Sequence, residues 1–193
     1  MGITYDGITE LQWADELFEQ RDWNKRHLLS LFAMLGIPES LLDVGCGDGT
    51  MVNIASLIGV VAYGVDQLVP EDMGGNFEHR NLVDKYLLFE KVNMVLCLEV
   101  AEHLDASAHA TLCDTCAENL LEGRGNFLIF SSAFPNQGGI GHVSERPSKY
   151  WLDQFSLRGL NYRRDLTVNL ALLWSNINSP LYWLAANALV LEK

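Results

Sequence analysis

Apolar residues along the chain follow two spacings, one typical of buried strands and the other of amphipathic helices. Four short, almost uninterrupted apolar runs predict strands: LLDVG from Leu41, VVAYGVD from Val60, MVLCL from Met94 and NFLIFSS from Asn126. Helical spacing follows the first run at Met51, Ile54, Ala55 and Ile58, and again over residues 106–121. Apolar strands that alternate with helices are typical of a mostly parallel sheet covered on both faces. The pattern therefore predicts a doubly wound α/β fold.

The two ends of the chain carry further predicted elements. The first forty residues predict two helices, the first capped by Thr9 and the second ended by Gly36 and Pro38. Beyond the fourth strand, the pattern predicts a helix near residues 148–157 and strands near residues 160–166 and 187–191. No internal repeat or linker interrupts the 193 residues. We therefore expect a single domain over residues 1–193.

Charge and composition exclude several classes of protein. The net charge is −12 with only 13 Lys and Arg residues, which disfavours a nucleic-acid partner. The first ten residues have neither a basic region nor an apolar core, so we expect no secretory signal. The uncharged run over residues 166–191 contains four Asn residues and Pro180, which a membrane-spanning helix would not carry together. We expect a soluble, cytoplasmic protein.

The four cysteines do not predict a metal site. Cys113 and Cys116 form one isolated C-x-x-C pair, and no second pair or nearby histidine cluster completes a zinc site. They also share an apolar helical face with Leu112 and Leu120. Core packing is therefore the expected role of this pair, and we predict no bound metal.

The sequence LLDVGCGDGT places Gly45, Gly47 and Gly49 directly after the first predicted strand. Glycines at a strand-to-helix turn let the backbone approach a ligand closely. Asp66 ends the second strand, where a carboxylate can accept hydrogen bonds from ribose hydroxyls. The dinucleotide pattern G-x-G-x-x-G fails in both registers, because Thr50 and Val52 stand at its third glycine. An NAD-dependent oxidoreductase is therefore the weaker hypothesis.

The pattern D-x-G-x-G-x-G, which begins at Asp43, resembles motif I of the class I S-adenosylmethionine-dependent methyltransferases. MVLCLEVAEHL, from Met94, is similar to the fourth-strand motif of the subgroup that includes the ubiquinone-biosynthesis O-methyltransferases. The resemblance implies a Rossmann-like, seven-stranded sheet and S-adenosylmethionine as cofactor. It implies a helical cap at residues 1–38, a cofactor-binding half at 40–132 and a substrate-side half at 133–193.

The same resemblance assigns site residues. It places the methionine portion of the cofactor among Asp43, Gly45, Cys46, Gly47 and Gly49. It assigns the ribose to Asp66, and it places Gln67, Asn81, Leu82, Leu98 and Glu99 around the rest of the cofactor.

Residues 131–155 follow the fourth apolar run and are expected to cover the reacting methyl group. Glycines make this segment flexible, and His142 lies three residues before Glu145, which can orient it. His142 is the first candidate for a base that deprotonates a hydroxyl acceptor, and His103 is the second. GGIGHVSERPSKYW and the C-terminal LYWLAANALVLEK resemble a set of compact bacterial and phage methyltransferases, members of which often accompany glycan-modifying functions.

The chain leaves little room for a separate recognition domain, so the expected acceptor is small or the end of a glycan. Trp13, Trp23, Tyr150 and Trp151 are candidates for an acceptor pocket, and core packing is their alternative role. A non-catalytic protein that binds S-adenosylmethionine on the same fold remains the alternative function.

Overall fold

Seven strands form one sheet in the computed structural model, which describes residues 10–71 and 74–193. The strands are β1 Ser40–Val44, β2 Val61–Asp66, β3 Phe77–His79, β4 Met94–Leu98, β5 Phe127–Ser131, β6 Asn161–Tyr162 and β7 Leu189–Glu192. Their order is β3-β2-β1-β4-β5-β7-β6. Strands β1 to β5 pair in parallel, whereas β7 lies antiparallel to both of its neighbours. The predicted doubly wound, mostly parallel fold is confirmed.

Helices cover both faces of this sheet. They are α1 Glu10–Leu35, α2 Thr50–Leu57, α3 His109–Asn119, α4 Ser148–Ser156, α5 Arg164–Ser175 and α6 Tyr182–Asn187. Leu41 and Leu42, which are consecutive in β1, are both fully buried but belong to opposite core clusters. The Leu42 cluster includes α3 and α4, and the Leu41 cluster includes α1, α2 and α5. Burial on both faces explains why the strands are almost continuously apolar.

Three elements at the ends of the chain differ from the sequence expectations. A single helix, α1, replaces the two predicted N-terminal helices, because no Gly or Pro interrupts residues 10–35. The expected cap, Thr9, lies outside the described residues. The strand predicted near residues 160–166 has only two residues, since α5 begins at Arg164. The strand predicted from Asn187 begins at Leu189, because Asn187 is the last residue of α6.

The cysteine pair lies in the core as expected. Cys113 and Cys116 are fully buried on α3 and are free thiols. In the described part of the chain, no helix combines the length and the hydropathy that crossing a membrane requires.

Candidate functional site

A cavity of about 520 Å³ opens at the carboxyl ends of β1, β2 and β4. The chain leaves β1 towards β2 and β3 on one side, and β4 and β5 lie on the other side. The cavity therefore lies at the point where the strand order reverses, which is where doubly wound sheets bind their ligands. Its walls come from the β1–α2 turn, the segment after β4, the loop after β5 and the start of α6.

The β1–α2 turn presents its backbone to the cavity. Gly45, Gly47 and Gly49 all have left-handed backbone angles, with φ of 81°, 55° and 75°. Gly45 and Gly47 line the cavity, but Gly49 does not, although the sequence placed it beside the ligand. A Cβ atom on Gly49 would collide with the ring of Phe77. Gly49 therefore serves the packing of the turn against β3 and does not touch the cavity.

Hydrogen bonds fasten the glycine turn to β2. Gly45 N–H donates to the carbonyl of Val65 (2.8 Å), and Gly47 N–H donates to Oδ2 of Asp66 (2.9 Å). Oδ1 of Asp66 accepts the N–H of Leu68 (2.8 Å). Burial raises the pKa of Asp66, and these backbone donors oppose the rise. The carboxylate is thus held in one orientation at the cavity wall, where its second lone pairs can accept ligand hydroxyls.

Asp43 lies at the end of β1 and also lines the cavity. Its side chain is buried, and this burial together with the nearby carboxylates of Asp66 and Asp48 raises its pKa to about 7. Among the described residues, the cavity wall contains no Lys or Arg. Asp48 pairs with Arg21 outside the lining, whereas Asp43 and Asp66 bring acidic groups to a wall without Lys or Arg, which favours a ligand that carries positive charge.

The other residues assigned to the cofactor reach the same cavity. Cys46, Gln67, Asn81, Leu82, Leu98 and Glu99 all line it. Glu99 directly follows β4 with a left-handed φ of 53°, which is unusual for a residue with a side chain. Its N–H donates to Oγ of Ser131 (3.1 Å), and both of its carboxylate oxygens accept from Nδ2 of Asn187 (3.2 Å). Glu99 is therefore anchored by β5 and by α6.

His103 and His142 meet at the cavity wall, with ring centroids 5.0 Å apart and the rings nearly perpendicular. Nδ1 of His142 lies 2.9 Å from Oε1 of Glu145, and Nδ1 of His103 lies 3.1 Å from the carbonyl of Gly141. A backbone carbonyl and an ionised carboxylate can only accept hydrogen bonds. Nδ1 of each histidine is therefore assigned the proton. Burial lowers the pKa of His103. Both imidazoles are thus oriented for chemistry at Nε2.

The loop between β5 and α4 holds His142 in place. Glu145 also accepts the backbone N–H groups of Asn136 (2.6 Å) and Gly138 (2.8 Å), so one carboxylate collects three donors. The hydrogen bond from His142 lowers the pKa of Glu145, which keeps this carboxylate ionised. The ring of His142 occupies the space that a Cβ on Gly139 would need. The glycine at 139 is therefore a packing requirement of the histidine.

Glu102 joins the two histidines in a group that can hold a metal ion. One ligand atom each from Glu102, His103 and His142 lies within 4.8 Å of the other two. Glu102 is fully buried, and its carboxyl group forms a hydrogen bond with that of Glu99. Burial and the Glu99 carboxylate raise the pKa of Glu102 to about 8. A carboxylate and two imidazoles suit a divalent transition metal.

The aromatic residues at the cavity are not those that the sequence suggested. Trp23, Tyr150 and Trp151 do not line it, and Trp151 is buried in the core against Phe130. The side chain of Trp13 lies outside the described residues. Tyr182 and Trp183 line the cavity instead. They follow Pro180 at the start of α6, a helix that the sequence analysis did not predict.

No protein-family model matches this sequence, and no curated protein matches it significantly. Solved structures do match the fold. Human N-acetylserotonin methyltransferase in complex with S-adenosylmethionine has a TM-score of 0.61 at 12% identity; the match covers 95% of this chain and 55% of that one. An S-adenosylmethionine-dependent methyltransferase from Archaeoglobus fulgidus has a TM-score of 0.61 at 18% identity, with 92% and 98% covered.

A sugar N-methyltransferase from Streptoalloteichus matches with a TM-score of 0.56 at 15% identity, over 84% of this chain and 87% of that one. At these three sequence identities, a match indicates a common fold and does not by itself indicate a common activity. The chain has the fold of the S-adenosylmethionine-dependent methyltransferases.

Proposed function

We propose that the protein is an S-adenosylmethionine-dependent methyltransferase that transfers a methyl group to a hydroxyl oxygen of a small or glycan-type acceptor. One observation carries the proposal: the glycine turn with Asp43 and Asp66, and the His103–His142 pair, line a single cavity. Cofactor and acceptor residues therefore face the same space. The cofactor wall is the glycine turn with Asp43 and Asp66, and the acceptor wall is His103 with the acceptor loop over residues 133–147, which carries His142.

The cofactor wall fits this cofactor in charge and in backbone geometry. S-adenosylmethionine carries an ammonium group and a sulfonium, and the wall holds Asp43 and Asp66 without a neighbouring Lys or Arg among the described residues. Asp66, fixed by backbone donors, is assigned to the ribose hydroxyls, and Gly47 leaves the turn open to the methionine portion. Gln67, Asn81 and Leu82 are assigned to the adenine side.

The acceptor wall supplies proton removal. When bound, S-adenosylmethionine supplies an electrophilic methyl group on a positively charged sulfur. His142 takes the proton of the acceptor hydroxyl at Nε2, while Glu145 holds the Nδ1–H and stabilises the imidazolium that forms. His103 is the competing base, and burial lowers its pKa. The loop over residues 133–147 excludes water from the reacting groups.

A divalent cation at Glu102, His103 and His142 is a second candidate for the same step. The buried carboxyl groups of Glu102 and Glu99 favour it, because a cation at this position would offset the charge of two neighbouring carboxylates. A cation in this position lowers the pKa of a coordinated acceptor hydroxyl, and the histidines then act as ligands. Assays with and without EDTA, followed by addition of Mg²⁺, Mn²⁺ or Zn²⁺, separate the two candidates.

The proposal is tested by calorimetry with S-adenosylmethionine, S-adenosylhomocysteine and NAD. We expect binding of the first two and no binding of NAD. A radiolabelled methyl-transfer assay over hydroxylated small molecules and glycan ends then tests catalysis. Binding without transfer to any acceptor supports a non-catalytic protein of the same fold, and binding of NAD alone contradicts the proposal.

A further inference from the structure

Tyr182 and Trp183 form an aromatic pair at the mouth of the cavity. Their rings are nearly perpendicular, with centroids 5.2 Å apart. Both residues line the cavity, yet Tyr182 leaves 75% of its surface exposed. An aromatic side chain this exposed contributes little to the stability of the fold in this position. Its ring face is instead free to contact a molecule that enters the cavity.

The helix that carries this pair is fixed to the reacting centre. Leu184 and Ala185 on α6 are buried in the core. Asn187, at the end of the helix, donates through Nδ2 to both carboxylate oxygens of Glu99 (3.2 Å) and to Oε1 of Gln137 (3.1 Å). The aromatic pair is therefore held at a set position relative to the Glu99 carboxylate and to the acceptor loop.

An exposed, glycine-rich stretch of the acceptor loop lines the same cavity. It is formed by Gly138, Gly139 and the half-exposed Ile140. The polar groups that can receive a hydroxyl, His103 and His142, line the same cavity and are much less exposed than Tyr182. A molecule with an apolar ring face at one end and a hydroxyl at the other can contact both the aromatic pair and the histidines.

The geometry points to an acceptor that carries its hydroxyl group on a ring, whose apolar face rests on Tyr182 and Trp183. This inference rests on the proposed methyl transfer and narrows its acceptor class. The shared chemistry is a six-membered ring with a hydroxyl at its edge, and both a phenol and a pyranose provide it. Acyclic alcohols lack the ring face and are excluded as acceptors.

Methyl transfer from radiolabelled S-adenosylmethionine to three uncharged probes tests the inference: p-cresol, methyl β-glucopyranoside and glycerol. We expect transfer to p-cresol or to the glucoside, whichever source the site prefers, and none to glycerol. Tyr182→Ala and Trp183→Ala are each expected to raise KM for the accepted ring roughly 5- to 20-fold with a much smaller change in kcat. Tyr182→Phe keeps the ring face and is expected to retain the KM of the wild type.

Phe89→Ala is the matched control, because Phe89 is fully exposed and does not line the cavity. S-adenosylhomocysteine binding by calorimetry is measured for every variant. If the wild type does not bind S-adenosylhomocysteine, the proposed function is contradicted. If it binds, the transfer results test only the class of acceptor. Transfer to glycerol alone, transfer to no ring probe, or an unchanged KM in both alanine variants overturns the ring-face inference.

Discussion

The two walls of the cavity differ in whether backbone or side-chain atoms form them. The cofactor wall is mainly backbone: a turn with left-handed glycines, hydrogen-bonded to β2 and to the carboxylate of Asp66. The acceptor wall is mainly side chains, in which Glu145 collects His142 and two backbone donors of its own loop. Backbone geometry has few sequence solutions, whereas a side-chain network has many. Under the proposed function, the backbone-made wall is expected to tolerate few substitutions, and the side-chain wall is expected to determine which acceptor is used.

The largest expected effect is on the backbone-made wall. Gly47→Val is expected to abolish cofactor binding, a loss of more than about 100-fold, because a β-branched residue resists the φ of 55° and its branches fill the cavity. Calorimetry with S-adenosylhomocysteine measures the loss, and circular dichroism checks the fold. Gly59→Val is the control, since Gly59 has a φ of 91° but does not line the cavity. Normal binding by the Gly47 variant would remove the backbone from the cofactor site.

On the side-chain wall, His142→Ala is expected to lower kcat roughly 10²- to 10⁴-fold while cofactor affinity stays within about twofold. The reason is the loss of the group that takes the hydroxyl proton. Gly139→Ala is the positional counterpart, because its new Cβ takes the space of the His142 ring. It is expected to lower kcat in the same direction, and calorimetry separates this from a cofactor defect. Near-normal turnover in both variants transfers the role to His103 or to an acceptor that needs no base.

A smaller effect is expected from the carboxylate that links the turn to β2. Asp66→Ala is expected to weaken S-adenosylmethionine binding about 10- to 100-fold, because ribose hydroxyls lose their acceptor and Gly47 N–H loses its partner. Asp66→Asn retains one acceptor oxygen, so its affinity for S-adenosylmethionine is expected to lie between those of Asp66→Ala and the wild type. Equal affinity across the three proteins would contradict the ribose assignment.

The smallest expected effect is a change of stability with pH. Asp43 has a folded pKa of about 7 against an ordinary value of 3.8, so the folded state binds the proton more tightly than the unfolded state. Its contribution is therefore most favourable below about pH 4 and is lost as the pH rises through 7. Urea unfolding of the free protein near pH 5 and pH 8 measures it. Asp43→Asn is expected to reduce the fall in unfolding free energy from pH 5 to pH 8 by about 1–2 kcal/mol. An unchanged fall would assign the pH dependence to other groups.

The sequence predicted the backbone-made wall better than the side-chain wall. The D-x-G-x-G-x-G turn and Asp66 lie within a single β–α–β unit, so local pattern was enough to place them together. Asn187 and Glu99 are 88 residues apart and meet only through the sheet order, which no local pattern encodes. Helix α5 was missed although Leu166, Leu170 and Trp174 follow a four-residue spacing on its inner face. Tyr150 and Trp151 were among the candidates for the acceptor pocket, with core packing as the alternative, because no local pattern indicated that α6 reaches the cavity.

Strand β7 has a consequence for the way the molecule is made. It is inserted between β5 and β6, and Asn187 immediately before it fastens the acceptor side to Glu99. During synthesis, the cofactor turn emerges more than a hundred residues earlier than this strand. A nascent chain can thus form β1 to β5 and a cofactor cradle while Glu99 still lacks its amide partner. Under the proposed function, the contact between Asn187 and Glu99 is therefore one of the last parts of the site to form, after the cofactor cradle is complete.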